Sequence, residues 1–110
     1  MLTDSELMNM AIDAAKKILN QLEVEDPRQP KVSGPIYLSG GMEAYFRIQF
    51  FNLHRTRSNR LFNSIAQITL SNHPEKGWQP EKGTLIEMQE DSHNFVFDNN
   101  KPLRVPSTQT

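Results

Sequence analysis

The apolar residues near the start of the chain recur at spacings of three and four, and this pattern constrains the fold more than any other feature. Thr3 and Glu6 have the spacing of a capping box, which marks the first turn of a helix. Pro27 disfavours helical geometry in the residue before it, so the helix should end near Val24. The spacing predicts an amphipathic helix over about residues 4–24, with one face that needs a covering surface. Its apolar positions are Leu7, Met8, Ala11, Ile12, Ala15, Ile18, Leu19 and Leu22.

After Val32 the pattern changes to a period of two. In residues 44–50 the even positions are apolar, whereas Arg47 and Gln49 fall on the other side. This alternation predicts a half-buried antiparallel strand. Residues 36–38 read as a short strand before it, joined through a tight turn at Ser39-Gly40-Gly41 that needs positive φ.

Alternation breaks at Phe50-Phe51, where two neighbouring aromatic residues predict a bulge or burial on both sides of the sheet. The segment 58–70 allows two interpretations. Leu61, Ile65 and Ile68 fit a helical stripe with Ser58 as N-cap, and both possibilities stay open although the alternation favours a strand. The alternating set is Phe62, Ser64, Ala66, Ile68 and Leu70.

The later part of the chain has the composition of turns and a hairpin. Residues 74–77 and 80–83 both read Pro-Glu-Lys-Gly, which predicts two stacked β-turns. Residues 84–90 and 94–98 then read as the arms of a closing hairpin.

These elements predict one α+β domain over residues 1–110. A long N-terminal amphipathic helix packs on a mainly antiparallel sheet of four to five strands. The predicted linker covers residues 25–33, the β region residues 34–98 and a polar tail residues 99–110.

Composition excludes several classes of function. The chain has no cysteine, which excludes disulfides, thiolate metal sites and cysteine nucleophiles, and which is typical of the reducing cytoplasm. Twelve basic and 13 acidic residues give a net charge of −1, so no global field attracts nucleic acid or membrane. The first residues lack a basic segment before an apolar run, and no apolar stretch has the length of a membrane span. We therefore expect a cytoplasmic protein without a membrane anchor.

A basic segment at residues 54–60 is the first candidate site. His54, Arg55, Arg57 and Arg60 lie within it, and Arg47 points to the polar side of the preceding strand. Arginine side chains bind phosphate oxygens through paired hydrogen bonds, so the segment is a candidate nucleic-acid contact. The alternative interpretation is an ordinary solvated hairpin loop.

Two further features invite a functional interpretation. Trp78 lies between the two turn motifs, where an indole serves either as an interface anchor or as a cap on the core. Glu87, Glu90, Asp91 and His93 form a carboxylate and imidazole cluster with the chemistry of a cation site or a general acid and base. Solvated turn residues explain the same composition.

The leading hypothesis is a small non-enzymatic binding protein, of the inhibitor, immunity or accessory-factor type. It would contact a protein partner through its β surface and the loops at residues 54–60 and 74–83. Nucleic-acid binding through residues 54–60 is one alternative, and a small enzyme or ligand carrier with a pocket between helix and sheet is the other. No motif indicates a cofactor, a metal site or an enzyme, and a homodimer is possible on the sequence.

Overall fold

The computed structural model describes residues 2–25, 29–55, 61–87 and 91–106. A single long helix, α1, spans Asp4–Gln21 and begins with the predicted capping box. The Thr3 hydroxyl accepts the Glu6 N–H at 3.1 Å, and the Glu6 carboxylate accepts the Thr3 N–H at 3.1 Å. The helix ends at Gln21, before the predicted Val24, because Glu23 adopts a positive φ of 58° that helical geometry excludes.

Within the described ranges, seven strands form one antiparallel sheet that curls around α1. β3 pairs with both β1 and β2 on one side, and the order then runs β3-β4-β5-β6-β7. The predicted class, a helix packed on an antiparallel sheet, is confirmed, and the predicted number of four to five strands is wrong. The strands are β1 Val24–Glu25, β2 Lys31–Leu38, β3 Glu43–Arg55, β4 Leu61–His73, β5 Gly77–Glu87, β6 Asp91–Asp98 and β7 Lys101–Val105.

The additional strands lie in segments that the sequence placed outside the sheet. β1 spans the end of the predicted helix and the start of the predicted linker at residues 25–33, the first residues of β2 also fall in that linker, and β7 falls in the predicted tail at residues 99–110. All three lie at the sides of the sheet, where one edge of the strand faces solvent and polar side chains are tolerated. Edge strands therefore lack the apolar alternation that identifies central strands.

The ambiguous third element is a strand. β4 pairs with β3 on one side and with β5 on the other. Its residues Ser64, Ala66, Ile68 and Leu70 are buried on the face that contacts α1, as the alternation predicted. The helical interpretation of residues 58–70 is wrong for the described part of this segment.

The two predicted Pro-Glu-Lys-Gly turns have different outcomes. Residues 74–76 form the turn between β4 and β5, but residues 80–83 lie within β5. There the register shifts opposite Thr69 and Leu70, so the second motif forms a bulge and not a turn. The predicted turn at residues 39–41 is confirmed, with positive φ at Ser39, Gly40 and Gly41.

The core lies between α1 and the inner face of the sheet, which is the face that contacts the helix. Leu7, Ala11, Ala15, Ile18 and Leu19 of the helix are at most 1% exposed. The small residues let the helix approach closely. At Gly83 an added Cβ would lie 2.8 Å from Ile68 Cδ1 and 3.0 Å from Ile18 Cδ1.

A bulge in β3 reverses which side chains point to the core. Phe50 pairs with Ser64, but the next register pair is Leu53 with Phe62. Asn52 absorbs the extra length at a φ of 56°, and its N–H donates to Asn63 Oδ1 at 3.1 Å. The predicted bulge is confirmed, and beyond it the odd positions face inward.

Hydrogen bonds join the helix to both edges of the sheet. Near its start, Asp4 accepts a hydrogen bond from the Tyr37 hydroxyl on β2. Near its end, Lys17 donates to the Asn100 carbonyl at 3.3 Å and Gln21 donates to the Pro102 carbonyl on β7. Within the described residues no helix has the length and apolar character needed to cross a membrane.

Candidate functional site

Of the predicted basic residues that the structure describes, Arg47 and Arg55 lie on opposite faces of the sheet. Arg47 is exposed on the outer face, which is the face turned away from α1, whereas the bulge turns Arg55 to the inner face. His54 is half-buried at the end of β3, paired with Glu25 and Leu61. Arg57 and Arg60 lie outside the described residues. Nucleic-acid binding through this segment therefore stays a prediction.

Arg55 is instead the countercharge of a buried carboxylate. Its guanidinium forms an ion pair with Oε2 of Glu87 and lies 4.9 Å from the centroid of the Phe62 ring. The Glu87 side chain is 9% exposed, whereas that of Arg55 is 39% exposed. The pair therefore joins a buried anion to a cation that water still reaches.

The other oxygen of Glu87 lacks a hydrogen-bond partner among the described residues. In this part of the chain, Glu87 Oε1 and Ser64 Oγ are both buried without such a partner. The two residues are direct register partners on β4 and β5. A buried polar atom without a partner costs about 1–3 kcal/mol, so two together mark a site that packing alone does not explain.

His93 faces the same carboxylate and also contacts Arg104. Arg104 Nη2 lies 2.7 Å from His93 Nδ1. Because a guanidinium only donates hydrogen bonds, Nδ1 must be the acceptor. The other ring nitrogen, Nε2, lies 3.8 Å from Glu87 Oε1.

These side chains form one group, the inner polar cluster, and five successive strands supply one member each. The predicted carboxylate and imidazole pair is therefore brought together in part, by Glu87 and His93. Glu90 and the side chain of Asp91 lie outside the part of the chain that the structure describes. Among the described residues no group of three or more His, Asp or Glu side chains suits a metal ion. The members are Arg55, Ser64, Glu87, His93 and Arg104.

Trp78 lies at the opposite end of the sheet. It pairs with Asn72 in the β4–β5 hairpin, is half-buried and packs against the core. Its ring meets that of Tyr37 edge to face, with centroids 6.5 Å apart and an interplanar angle of 64°. Its exposed part is therefore continuous with the exposed part of Tyr37.

An exposed apolar surface surrounds Tyr37, and we call it the β2 edge patch. It consists of Ile36, Tyr37, Leu38 and Met42, whose exposed fractions range from 43% to 57%. Ile36 and Leu38 pair with Tyr45 and Glu43 on the outer face. Tyr37 pairs with the buried Ala44 and points to the helix side. The patch therefore covers both sides of one strand edge.

The sequence analysis identified residues 36–38 as a short strand before a turn but did not identify an exposed apolar surface there. The available signal was the absence of alternation in Ile36-Tyr37-Leu38, since a strand with one solvated face alternates. For the inner polar cluster, the sequence identified Glu87 and His93 but not their arginine and serine neighbours. Those neighbours are identified only by the register of the sheet.

The charged side chains that contact or pair with the residues of the β2 edge patch, Asp4 and Glu43, are acidic. Residues 2–15 and 32–46 contain no lysine or arginine, although the chain has 12 such residues. The same two segments contain Asp4, Glu6, Asp13 and Glu43. Asp4 contacts Tyr37, and Glu43 lies opposite Leu38 and accepts a hydrogen bond from the Ser39 hydroxyl at 2.7 Å. The patch is apolar with an acidic border.

The sequence matches no known protein family, and neither a curated protein nor a solved structure is similar to it.

Proposed function

We propose that the chain is a non-enzymatic binding protein that recognises a protein partner through the β2 edge patch. The observation that supports this function is the exposure of four large apolar side chains within residues 36–42. Single exposed apolar residues are normal on a protein surface, but a contiguous group indicates an interaction site. Trp78 and Tyr37 add aromatic surface of the kind that forms interface anchors.

The packing of the inner face supports the same proposal. The helix residues that face the sheet are almost fully buried against it, so the apolar face of α1 is already covered by the chain itself. The remaining exposed apolar surface is available to a partner. The chain contains no cysteine, which fits a reducing compartment, and we propose the cytoplasm as the place where the partner is met.

The test is partner recovery with two matched leucine variants. Leu38 and Leu103 are both 43% exposed, and they lie on strands at opposite edges of the sheet. Tagged wild-type protein, Leu38→Asp and Leu103→Asp are used to purify partners from extracts of the host cell, after far-UV circular dichroism has shown that both variants fold. We expect Leu38→Asp to reduce recovery of the specific partner by about tenfold and Leu103→Asp to leave it unchanged. Equal recovery with both variants would refute the proposal.

A second candidate, a small-ligand carrier or enzyme, is favoured by the two buried polar atoms without partners in the inner polar cluster. Glu87 Oε1 accepts, whereas Ser64 and His93 Nε2 donate, so the complementary ligand carries both a donor and an acceptor. Acetamide and ethylene glycol are suitable NMR probes. Saturable shifts at the amides of Ser64 and Glu87, absent in Glu87→Leu, would support this function, and no saturable shift with either probe would exclude it.

A further inference from the structure

We infer that the β2 edge binds an extended, basic segment of the partner as an additional strand of the sheet. This inference rests on the proposed function and specifies both the binding mode and the chemistry of the partner. Strand addition of this kind uses main-chain hydrogen bonds for affinity and alternate side chains for specificity.

The backbone of β2 offers an open edge. Within the described residues β2 pairs with β3 alone, and no side chain hydrogen-bonds the backbone of residues 36–38. In an antiparallel pair every second residue turns its N–H and C=O away from its partner. Groups of this segment are therefore directed at solvent and are available to an incoming strand.

The opposite edge of the sheet is protected. In β7, Pro102 has no N–H, and its carbonyl accepts a hydrogen bond from the Gln21 side chain. The Lys17 side chain donates a hydrogen bond to the Asn100 carbonyl, just before the start of β7. Helix side chains thus satisfy groups on β7 that an added strand would need, whereas the hydrogen bond between the described parts of β2 and the helix is made by the Tyr37 hydroxyl and not by the β2 backbone. The comparison favours β2 as the docking edge.

The length of the docking segment is limited. Pro35 lacks an N–H, and the register between β2 and β3 shifts between Ser33 and Ile36. Pairing with an added strand should therefore be confined to Ile36, Tyr37 and Leu38. Residues of the added strand that lie beside Ile36 and Leu38 should be apolar, because side chains on one face of a sheet pack with their cross-strand neighbours.

The border of the patch determines the charge of the partner. Asp4 and Glu43 lie on either side of the edge, and no lysine or arginine occurs in residues 2–15 or 32–46. A segment with lysine or arginine beside its apolar residues is attracted to this border, and an acidic segment is repelled. A second copy of the chain would bring the same carboxylates to the interface, so the charges disfavour self-pairing.

The experiment uses the full chain labelled with ¹⁵N and three capped peptides. The first alternates lysine and valine, the second alternates glutamate and valine, and the third is the lysine and valine peptide with alternate amides N-methylated. We expect the lysine and valine peptide to cause saturable amide shifts at residues 36–38 and none at residues 101–105. The glutamate and valine peptide should bind at least about fivefold more weakly than the lysine and valine peptide. N-methylation should weaken binding by about tenfold, because it removes main-chain donors while it keeps the side chains.

Each contrary result has a separate meaning. Equal affinity of the N-methylated peptide would overturn strand addition, and equal affinity of the glutamate peptide would overturn the basic partner. No shift with any peptide would overturn the inference. Sedimentation that shows a dimer in the wild type and a monomer in Leu38→Asp would assign the edge to a second copy. None of these results alters partner recovery in the Leu38→Asp and Leu103→Asp comparison, which tests the proposed function independently.

Discussion

Replacement of Arg55 by methionine should destabilise the fold more than replacement of its partner Glu87 by leucine. Methionine retains an unbranched stem that packs on Phe62 but removes the guanidinium. The Glu87 carboxylate, 9% exposed, would then lack its countercharge while Oε1 still has no hydrogen bond. His93 Nε2 lies 3.8 Å from Oε1, which is too long for a hydrogen bond.

The magnitude follows from the unequal burial of the pair. Removal of one partner from a fully buried ion pair costs about 3–5 kcal/mol. Arg55 is 39% exposed, so water already screens part of this interaction, and we reduce the expected cost of Arg55→Met to about 2–3 kcal/mol. This is a large fraction of the roughly 5–15 kcal/mol that stabilises a domain.

The converse change should cost less. In Glu87→Leu the unpaired group is Arg55, which water reaches, and the new side chain is apolar in a buried position. We expect a loss of about 1 kcal/mol or less. The double variant Arg55→Met with Glu87→Leu should be more stable than Arg55→Met alone, because no buried charge remains without a partner.

Urea unfolding at neutral pH, followed by the fluorescence of Trp78, measures these differences. For an m-value of about 1.5 kcal/mol per molar urea, Arg55→Met should lower the unfolding midpoint by about 1.5 M. Arg47→Met is the matched control, because Arg47 is exposed on the outer face, and it should change stability by less than about 0.5 kcal/mol. An Arg55→Met variant as stable as Arg47→Met, or more stable than Glu87→Leu, would refute the reasoning.

Three further predictions concern the helix and its contacts. Thr3→Ala should destabilise the fold by about 1 kcal/mol in urea unfolding, because it removes the hydroxyl that caps α1. The hydrogen bond to Asp4 raises the pKa of Tyr37. In absorbance titrations of chains whose other tyrosine is replaced by phenylalanine, Tyr37 should therefore ionise at higher pH with Asp4 present than in Asp4→Asn. The hydrogen bond stabilises the fold below the pKa that Tyr37 has in the unfolded chain, and this stabilisation is lost as the pH rises through the pKa in the folded chain. Gly83→Ala should cost about 1–3 kcal/mol through overpacking, and Ile18→Val in the same chain should restore part of the loss.

Local sequence patterns predicted the parts of this fold that depend on neighbouring residues. The capping box at Thr3, the helix stripe and the alternation in residues 44–50 each involve residues a few positions apart, and all three are confirmed. The strands at the sides of the sheet were missed. β1 has two residues and β7 combines Lys101, Pro102 and Arg104, so neither has a pattern to detect. Their pairing is stabilised by the adjacent strand and by the helix, and not by their own propensity.

The basic site illustrates a stronger limit on sequence reasoning. The bulge near Phe50 was predicted. A bulge inserts one residue into the strand, so after it the odd-numbered side chains point inward where the even-numbered ones did before. Arg47 and Arg55, both at odd positions, would share a face in a regular strand, but the extra residue places them on opposite faces. The sequence analysis placed residues 54–60 in a loop after the strand, so it assigned no face of the sheet to Arg55. In the structure Arg55 belongs to β3, and its face follows from the bulge.

The inner polar cluster depends on register across the whole sheet. Ser64 lies opposite Glu87 only because the β4–β5 pairing contains a second bulge near Leu70, and Arg104 reaches His93 only because β7 pairs with β6. A shift of one residue in either pairing would move a member to the outer face, since side chains alternate with a period of two. Five strands must therefore have the correct register before these polar groups meet. The cluster has no local sequence motif, because its members come together only in the completed sheet.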